Sequence, residues 1–253
     1  MNALLPSLWE PLAFGFLAML FRVSALVAML PALGEVSIPA RIKLGLAICM
    51  TMVIYPIIPL PDVQVIEGAE RYGLLLSEIG VGLWFGLLLR VFVFCLQTAG
   101  SIAAQSTSLS QILGTAGVEP LPAMGHVITM AGLTLALTLG LHVSAVQYLI
   151  GSYALFPMGD FPDLGVLAET GVAQIAWGFK LAFTLAAPFI ILSLLYNLTL
   201  GVINRAMPQL MVAFVGAPVI TAGALFLLAI ALPSMLGTWV DALFDFLATG
   251  ELH

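Results

Sequence analysis

Long stretches without a charged side chain constrain this chain more than any other feature of its sequence. A helix that crosses the hydrocarbon core of a bilayer needs about 20 consecutive apolar residues. Four intervals contain no Asp, Glu, Lys or Arg and are each long enough for such a helix: those between Arg90 and Glu119, Glu119 and Asp160, Lys180 and Arg205, and Arg205 and Asp241. The sequence therefore predicts an integral membrane protein of several helices.

The overall composition agrees with this prediction. Hydrophobic residues make up 62% of the 253 residues and charged residues only 8%, whereas a soluble domain carries roughly 25% charged residues. The net charge of −6 and the lack of a basic patch argue against nucleic acid as a partner. Cys49 and Cys95 lie within apolar runs without metal-binding spacing, so we expect both to be buried.

Six hydrophobic segments predict an all-α, polytopic fold with about six helices in one domain over residues 1–253. The second segment is short for a span, and Pro218 and Pro233 are expected to kink the sixth. The segments cover residues 9–30, 40–55, 72–104, 124–150, 176–203 and 209–246.

The charges between these segments alternate in sign. Arg41 and Lys43 follow the first segment and Arg205 follows the fifth, while mainly acidic residues follow the second and the fourth. By the positive-inside rule, the basic connections face the cytoplasm and both termini face outward.

Four charged residues lie in or at the edge of apolar segments: Arg22, Glu78, Arg90 and Lys180. An unpaired charge in hydrocarbon costs at least about 2.5–3.5 kcal/mol, so each must meet protein, water or an opposite charge. One interpretation is an ion or proton pathway. The alternative, which we favour, is buried pairs in a helical assembly or side chains that reach the membrane surface.

Small residues mark the third segment. Gly82 and Gly86 have the GxxxG spacing that lets two membrane helices approach closely. The small, weakly polar residues from Gly100 to Ser108 fit a polar lumen lining and tight internal packing equally well.

The stretch from Gln105 to Gly125 is apolar, yet rich in Gly, Ser, Thr and Pro. Irregular backbone at membrane depth requires burial in protein or a water-filled cavity beside it. This stretch is the best candidate for a pore-facing loop, and an ordinary cytoplasmic connection is the alternative.

No catalytic constellation is visible. His126, His142 and His253 lack metal-ligand spacing, and no nucleotide-binding or hydrolase motif occurs. We therefore predict a protein that is not an enzyme and that holds no metal and no cofactor, with an unfamiliar intramembrane enzyme as the alternative.

Four groups of residues follow one another in a characteristic order. They are Arg22-Val-Ser-Ala-Leu with Pro31 and Ser37-Ile-Pro-Ala-Arg41-Ile-Lys43; Glu78-Ile-Gly80 with Gly86 and Arg90; Phe156-Pro-Met-Gly159; and Tyr196-Asn-Leu-Thr-Leu-Gly201-Val-Ile-Asn-Arg205-Ala-Met-Pro208-Gln209-Leu-Met-Val212 with Gly216 and Pro218. In this order they resemble the FliR-type subunit of the flagellar export gate, which is called SctT in virulence injectisomes.

The resemblance implies a non-enzymatic, pore-forming subunit of a type III protein export gate, needed for flagellum assembly. Kinked helical hairpins of such a subunit pack with FliP-type and FliQ-type subunits, and an FlhB-type protein associates with them. Unfolded export substrates pass through the gate, which lies in the bacterial cytoplasmic (inner) membrane at the flagellar basal body. Much of the apolar surface then meets other subunits as well as membrane lipid, so the six segments need not all be spans.

The resemblance also implies roles for individual residues. A loop that plugs the closed pore corresponds to residues 106–122, with Ser106, Ser108, Ser110, Gln111, Leu113, Gly114, Gly117, Pro120 and Pro122 as its candidate residues. Buried charge pairs or inter-subunit contacts are expected at Arg22, Arg41, Glu78, Arg90 and Arg205. Helix packing and turns are expected at Gly82, Gly86, Asn197, Gly201, Pro208 and Gln209.

A stand-alone secondary transporter or ion channel is the competing function. Its motivation is the set of four charged residues in apolar surroundings. The lack of a recognisable inverted repeat counts against it.

Overall fold

The computed structural model describes residues 4–59, 68–108, 123–160, 162–206 and 212–250, and within these ranges the chain forms seven α-helices and no strand. The all-α prediction is confirmed. The helices are α1 (Leu4–Met29), α2 (Ala40–Ile54), α3 (Ala69–Ser108), α4 (Ala123–Thr138), α5 (Leu141–Leu155), α6 (Leu164–Ala206) and α7 (Val212–Thr249).

Four of the described helices, α1, α3, α6 and α7, are long and apolar enough to cross a membrane. A fifth span results if the bent pair of α4 and α5 counts as one. The prediction of a polytopic membrane protein is therefore confirmed. Helix α2 has 15 residues, which is short for a span.

The fourth hydrophobic segment forms two helices instead of one. Helices α4 and α5 meet at Gly140, whose φ of +94° lies in the left-handed region, and their axes differ by 75°. A side chain with a Cβ rarely adopts this backbone conformation. A single glycine in an apolar run gave no sign of the break, because glycine is common in membrane helices.

Helix α6 begins at Leu164, twelve residues before the predicted segment starts at 176. The Asp163 carboxylate accepts a hydrogen bond of 2.8 Å from the backbone amide of Gly165, as an N-cap does. The acidic character of this first stretch, with Glu169 in it, made it resemble a loop in the sequence.

The chain divides into two compact units. Unit 1 comprises Met1–Val91, Leu137–Gln174 and Leu243–His253, and unit 2 comprises Phe92–Ala136 and Ile175–Ala242. In the core of unit 2, the fully buried Trp239 donates a hydrogen bond of 2.9 Å from Nε1 to the carbonyl oxygen of Phe92. The single domain over residues 1–253 stays a prediction.

The outer face of α2 is apolar but exposed within the chain. Ile42, Met52 and Val53 are each at least 60% exposed. Cys49 is exposed on the same helix, whereas Cys95 is buried. The expectation of two buried cysteines is therefore wrong for Cys49, because an apolar helix in this chain need not be covered by the chain itself.

Candidate functional site

Arg22 on α1 and Glu78 on α3 form an ion pair whose side chains are both fully buried. Arg22 donates from Nε to Glu78 Oε2 and from Nη2 to Glu78 Oε1, each over 2.8 Å. Two parallel hydrogen bonds between a guanidinium and a carboxylate give both strength and a defined orientation. The pair therefore holds α1 against α3 in one register.

The remaining donor group of Arg22 points to α5. Nη1 donates to the carbonyl oxygens of Phe156, over 2.9 Å, and of Ser152, over 3.3 Å. These carbonyls lie at the end of α5, which carries partial negative charge, and that of Ser152 also accepts a hydrogen bond of 2.9 Å from the Phe156 amide. The guanidinium carbon also lies 3.9 Å from the ring centroid of Tyr153, a cation–π contact.

Glu78 has a further partner in the turn after α5. The backbone amide of Gly159 donates a hydrogen bond of 3.0 Å to Glu78 Oε1. Gly159 has a φ of +91°, in the left-handed region that favours glycine. A Cβ at this position would also lie 3.3 Å from Leu74 Cδ1. Glycine is thus required for the turn that brings this amide to the carboxylate.

These residues form what we call the Arg22 cluster, which lies wholly in unit 1. It joins α1, α3, α5 and the turn after α5 through one buried cation and one buried anion. The sequence singled out only the two charged members as candidates. The members of the cluster are Arg22, Glu78, Ser152, Tyr153, Phe156 and Gly159.

The glycine face of α3 lies against α1 beside this cluster. A Cβ on Gly82 would overlap the carbonyl oxygen of Arg22, and a Cβ on Gly86 would come within 2.8 Å of Met29 Cβ. Glu78, Gly82 and Gly86 are spaced by four residues and share one face of the helix. Close approach at the glycines therefore lets the Glu78 carboxylate reach Arg22.

A second ion pair lies further along the same face. Arg90 Nη1 contacts Glu35 Oε1 at 2.6 Å, and Nη2 contacts Oε2 at 3.3 Å. Glu35 belongs to the turn between α1 and α2, and Lys43 binds the Gly34 carbonyl oxygen of this turn over 2.8 Å. The two side chains of the ion pair are 15% and 18% exposed, so water screens this pair more than the first.

The other charged and packing candidates lie at the surface of the chain. Arg41 and Arg205 are exposed, as is Lys180. The side-chain amide of Asn197 donates to the carbonyl oxygen of Ser193 over 2.8 Å, and Gly201 faces open space within the chain. Pro208 and Gln209 lie outside the described residues.

Most of the candidate plug loop also lies outside the described residues. Ser106 is buried near the end of α3 and donates to the carbonyl oxygen of Ala103 over 2.7 Å, and α3 ends at Ser108. The other candidates, which the structure does not describe, are Ser110, Gln111, Leu113, Gly114, Gly117, Pro120 and Pro122.

The helices on either side of this loop meet at two glycines. A Cβ on Gly100 of α3 would lie 2.5 Å from the Cα atom of Gly125 on α4. The backbones of α3 and α4 are thus in direct contact, and Ala103 and Ala104 nearby are buried. The contact joins the start of α4 to α3 eight residues before the end of α3.

The two charges of the Arg22 cluster are satisfied within the cluster. Each charge meets its opposite, and the remaining hydrogen bonds involve backbone groups and the Ser152 hydroxyl of the same chain. Among the described residues, no three His, Cys, Asp or Glu side chains converge on a possible metal position. The arrangement fixes helices relative to one another, as a structural ion pair does.

Sequence reasoning overlooked Glu35, Ser152 and Tyr153 as parts of these contacts. The Phe156-Pro-Met-Gly159 motif was a usable signal for the α5 end of the cluster, because a glycine two residues after a proline indicates a tight turn.

Comparison with known proteins identifies the family of this chain. Residues 13–246 match the family described as bacterial export proteins, family 1. The chain belongs to this family. Arg22, Glu78 and Phe156–Gly159, which meet in the Arg22 cluster, all lie within the matched range.

Individual relatives carry a consistent description. The flagellar biosynthetic protein FliR of Caulobacter vibrioides is 33% identical over 227 residues, covering 87% of this chain and 89% of its own. The protein of the same name from Escherichia coli is 32% identical over 85% of this chain and 82% of its own. That of Bacillus subtilis is 28% identical over 80% of each chain.

Proposed function

We propose that this chain is the FliR-type subunit of the flagellar type III protein export gate. The match to the bacterial export family over residues 13–246, together with relatives named as flagellar biosynthetic proteins, carries this proposal. The gate lies in the bacterial cytoplasmic membrane at the flagellar basal body. The chain contributes to the path along which unfolded export substrates cross that membrane.

The proposed partners are FliP-type and FliQ-type subunits and an FlhB-type protein. Large exposed apolar side chains on the described helices support a chain that works within an assembly, because a monomer in water would not keep them exposed. Membrane lipid covers part of this surface, and other subunits cover the rest.

The candidate plug loop, residues 106–122, closes the resting pore in this proposal. Its support is the composition of the stretch, which is apolar but rich in Gly, Ser, Thr and Pro, and its position after α3. The contact between Gly100 and Gly125 supports a fixed base from which such a loop emerges.

A stand-alone transporter is not favoured. Arg22, Glu78 and Arg90, three of the charged residues that motivated it, are held in ion pairs within unit 1. A proton or ion carrier needs a group that can change its charge or its partner during transport.

The test is complementation of a deletion. Removing the gene from its host should abolish secretion of flagellin and swimming, and expressing the chain from a plasmid should restore both. Flagellin in the medium of the deletion strain at the wild-type level would overturn the proposal. The transporter alternative is tested in liposomes that contain the purified chain alone. We expect solute flux into these liposomes to be at background, and the variants Glu78→Gln and Arg90→Ala to leave it unchanged.

A further inference from the structure

A cavity of about 360 Å³ lies wholly within unit 1. Its walls come from α3, α5, the start of α6 and the end of α7. Binding cavities in proteins measure about 300–1,000 Å³, so this one is large enough to receive side chains of another molecule. Aromatic side chains make up much of the wall, namely Trp84, Phe85, Tyr148, Phe156 and Phe246.

The aromatic wall is packed from behind and holds its shape without an occupant. The Phe85 ring centroid lies 5.3 Å from that of Tyr148 and 5.9 Å from that of Phe156, both edge to face. Phe246 of α7 lies 5.8 Å from Tyr148. Phe85, Tyr148 and Phe246 are all buried. Such a preformed wall is typical of a binding site.

The cavity exposes helix backbone at Gly151 in α5. A Cβ on Gly151 would meet no atom within 4 Å, so the chain itself leaves this part of the cavity unfilled. Leu155 on α5 and Val166 on α6 also line the cavity, and they are 69% and 55% exposed. Large apolar side chains exposed around a cavity indicate that another molecule covers them.

The charges beside the cavity are all negative. Asp163 and Glu169 lie within one helical turn of Val166 on α6, and Asp245 immediately precedes Phe246 on α7. All three acidic side chains are exposed. The four segments that form the cavity and its edge, residues 84–88, 147–156, 163–170 and 245–250, contain no Lys, Arg or His. The mouth of the cavity therefore favours a positively charged occupant.

This combination distinguishes between a lipid and a protein as the occupant. The phosphate of a phospholipid would meet like charges at the mouth, which disfavours it. Pockets rich in Trp and Tyr receive the anchor side chains of protein partners, and complementary charges around them select the partner. An amphipathic helix can present both an apolar face and a basic residue to such a groove.

We infer that this cavity receives one face of a helix from another protein subunit. Two large apolar side chains of that helix, three or four residues apart, enter beside Gly151. A neighbouring Lys or Arg of the same helix lies against Glu169 or Asp245. The inference rests on the proposed function in one respect, because it takes the chain to work in an assembly of several proteins.

The reactivity of a single cysteine at the mouth tests whether the cavity is covered. In a chain with Cys49→Ser and Cys95→Ala, Leu155→Cys places a thiol there. Labelling by a maleimide should be several-fold slower in the purified complex than in membranes that contain the chain alone, with labelling after denaturation as the common reference. Equal rates in an intact complex would overturn the inference. A chain that elutes without other subunits would contradict the proposed function too, so the two failures are distinguishable.

A photoreactive group identifies the occupant. In the complex, p-benzoylphenylalanine replaces Leu155, and the products of irradiation are sequenced by mass spectrometry. We expect a cross-link to a helical segment of another subunit, with a Lys or Arg within two helical turns of the linked residue. A cross-link to phospholipid, or to a protein segment without a basic residue there, would overturn the inference.

Two pairs of variants test the fit and the charge separately. Gly151→Leu fills the cavity and should lower the amount of assembled complex several-fold, whereas Gly151→Ala leaves most of the cavity open and should not.

Glu169→Lys should also lower the amount of complex, because it places a positive charge against the basic residue of the partner. Glu70→Lys is its control, since Glu70 is exposed and lies roughly 21 Å before Trp84 along α3. The aggregation temperature of each purified chain shows whether it is folded. Normal assembly of both Gly151→Leu and Glu169→Lys would overturn the inference.

Discussion

The Glu78 carboxylate oxygen that accepts a hydrogen bond from Arg22 Nη2 accepts a second one, of 3.0 Å, from the backbone amide of Gly159. One buried atom thus connects α1, α3 and the turn that follows α5. A buried carboxylate loses its hydration and needs such partners to remain charged. The contact explains why Arg22 and Gly159, which lie 56 and 81 positions from Glu78 in the sequence, belong to one structural unit with it.

Removing one member of the buried pair should be strongly destabilising. In Glu78→Leu the Arg22 guanidinium stays buried without its carboxylate, at a cost of about 3–5 kcal/mol. We expect little of this variant in isolated membranes, measured by immunoblotting and by the temperature at which the solubilised protein aggregates. The double variant Arg22→Met/Glu78→Leu leaves no unpaired charge and should be more stable than Glu78→Leu. A double variant less stable than the single one would contradict this account of the pair.

Gly82 of α3 contacts α1, whereas Gly80 on the same helix contacts no neighbouring element. Gly82→Ala places a methyl group on the Arg22 carbonyl oxygen and should destabilise the protein by about 1–3 kcal/mol, as overpacking does. Gly80→Ala is the control, since a Cβ there meets no atom within 4 Å and alanine favours a helix by up to about 1 kcal/mol. Aggregation temperatures of the two purified variants give the comparison. Equal temperatures would mean that α1 and α3 do not approach each other at Gly82.

Gly159 is expected to tolerate no side chain. Gly159→Ala forces an L-residue into the left-handed region, at a cost of about 1–2 kcal/mol, and crowds Leu74. Gly151→Ala on α5 is the matched control, because its Cβ would meet open space. Swimming halos in soft agar and protein levels in membranes should fall for Gly159→Ala only. A normal halo for Gly159→Ala at a normal protein level would argue against the role of this turn.

The sequence predicts features that depend on neighbouring residues better than contacts between residues that lie far apart along the chain. Charge-free runs predict helices, and the GxxxG pattern predicts a close helix contact, because both depend on neighbouring residues. The cost of an unpaired charge predicts that Arg22 and Glu78 have partners. Which charges pair depends on how α1 and α3 pack, and no local pattern encodes that.

The sequence analysis missed two other features because the residues that determine them have more than one common structural role. The break at Gly140 requires one backbone conformation that any glycine can adopt, so the residue alone does not reveal it. The start of α6 was missed because Asp163 and Glu169 resemble loop residues, although acidic residues are favourable near the N-terminus of a helix. The plug loop stays a prediction, since its residues lie almost entirely outside the described part of the chain.

The plug hypothesis predicts a leak. Deleting residues 110–117 should leave the helices that flank the loop in contact at Gly100 and Gly125, and the assembled complex should then stay open. We expect cells that express this variant to take up small solutes or to show raised membrane conductance, with normal co-purification of the other subunits. Unchanged conductance in an assembled deletion variant would show that the loop is not a plug.

Subunit composition tests the central claim most directly. An affinity tag on the chain, expressed from its own locus, allows mild detergent extraction of native membranes followed by native mass spectrometry. The account predicts one stable complex that contains FliP-type and FliQ-type proteins, whose amount falls for Glu78→Leu and not for Gly80→Ala. Recovery of the chain only as an isolated monomer, from cells that swim normally, would contradict it.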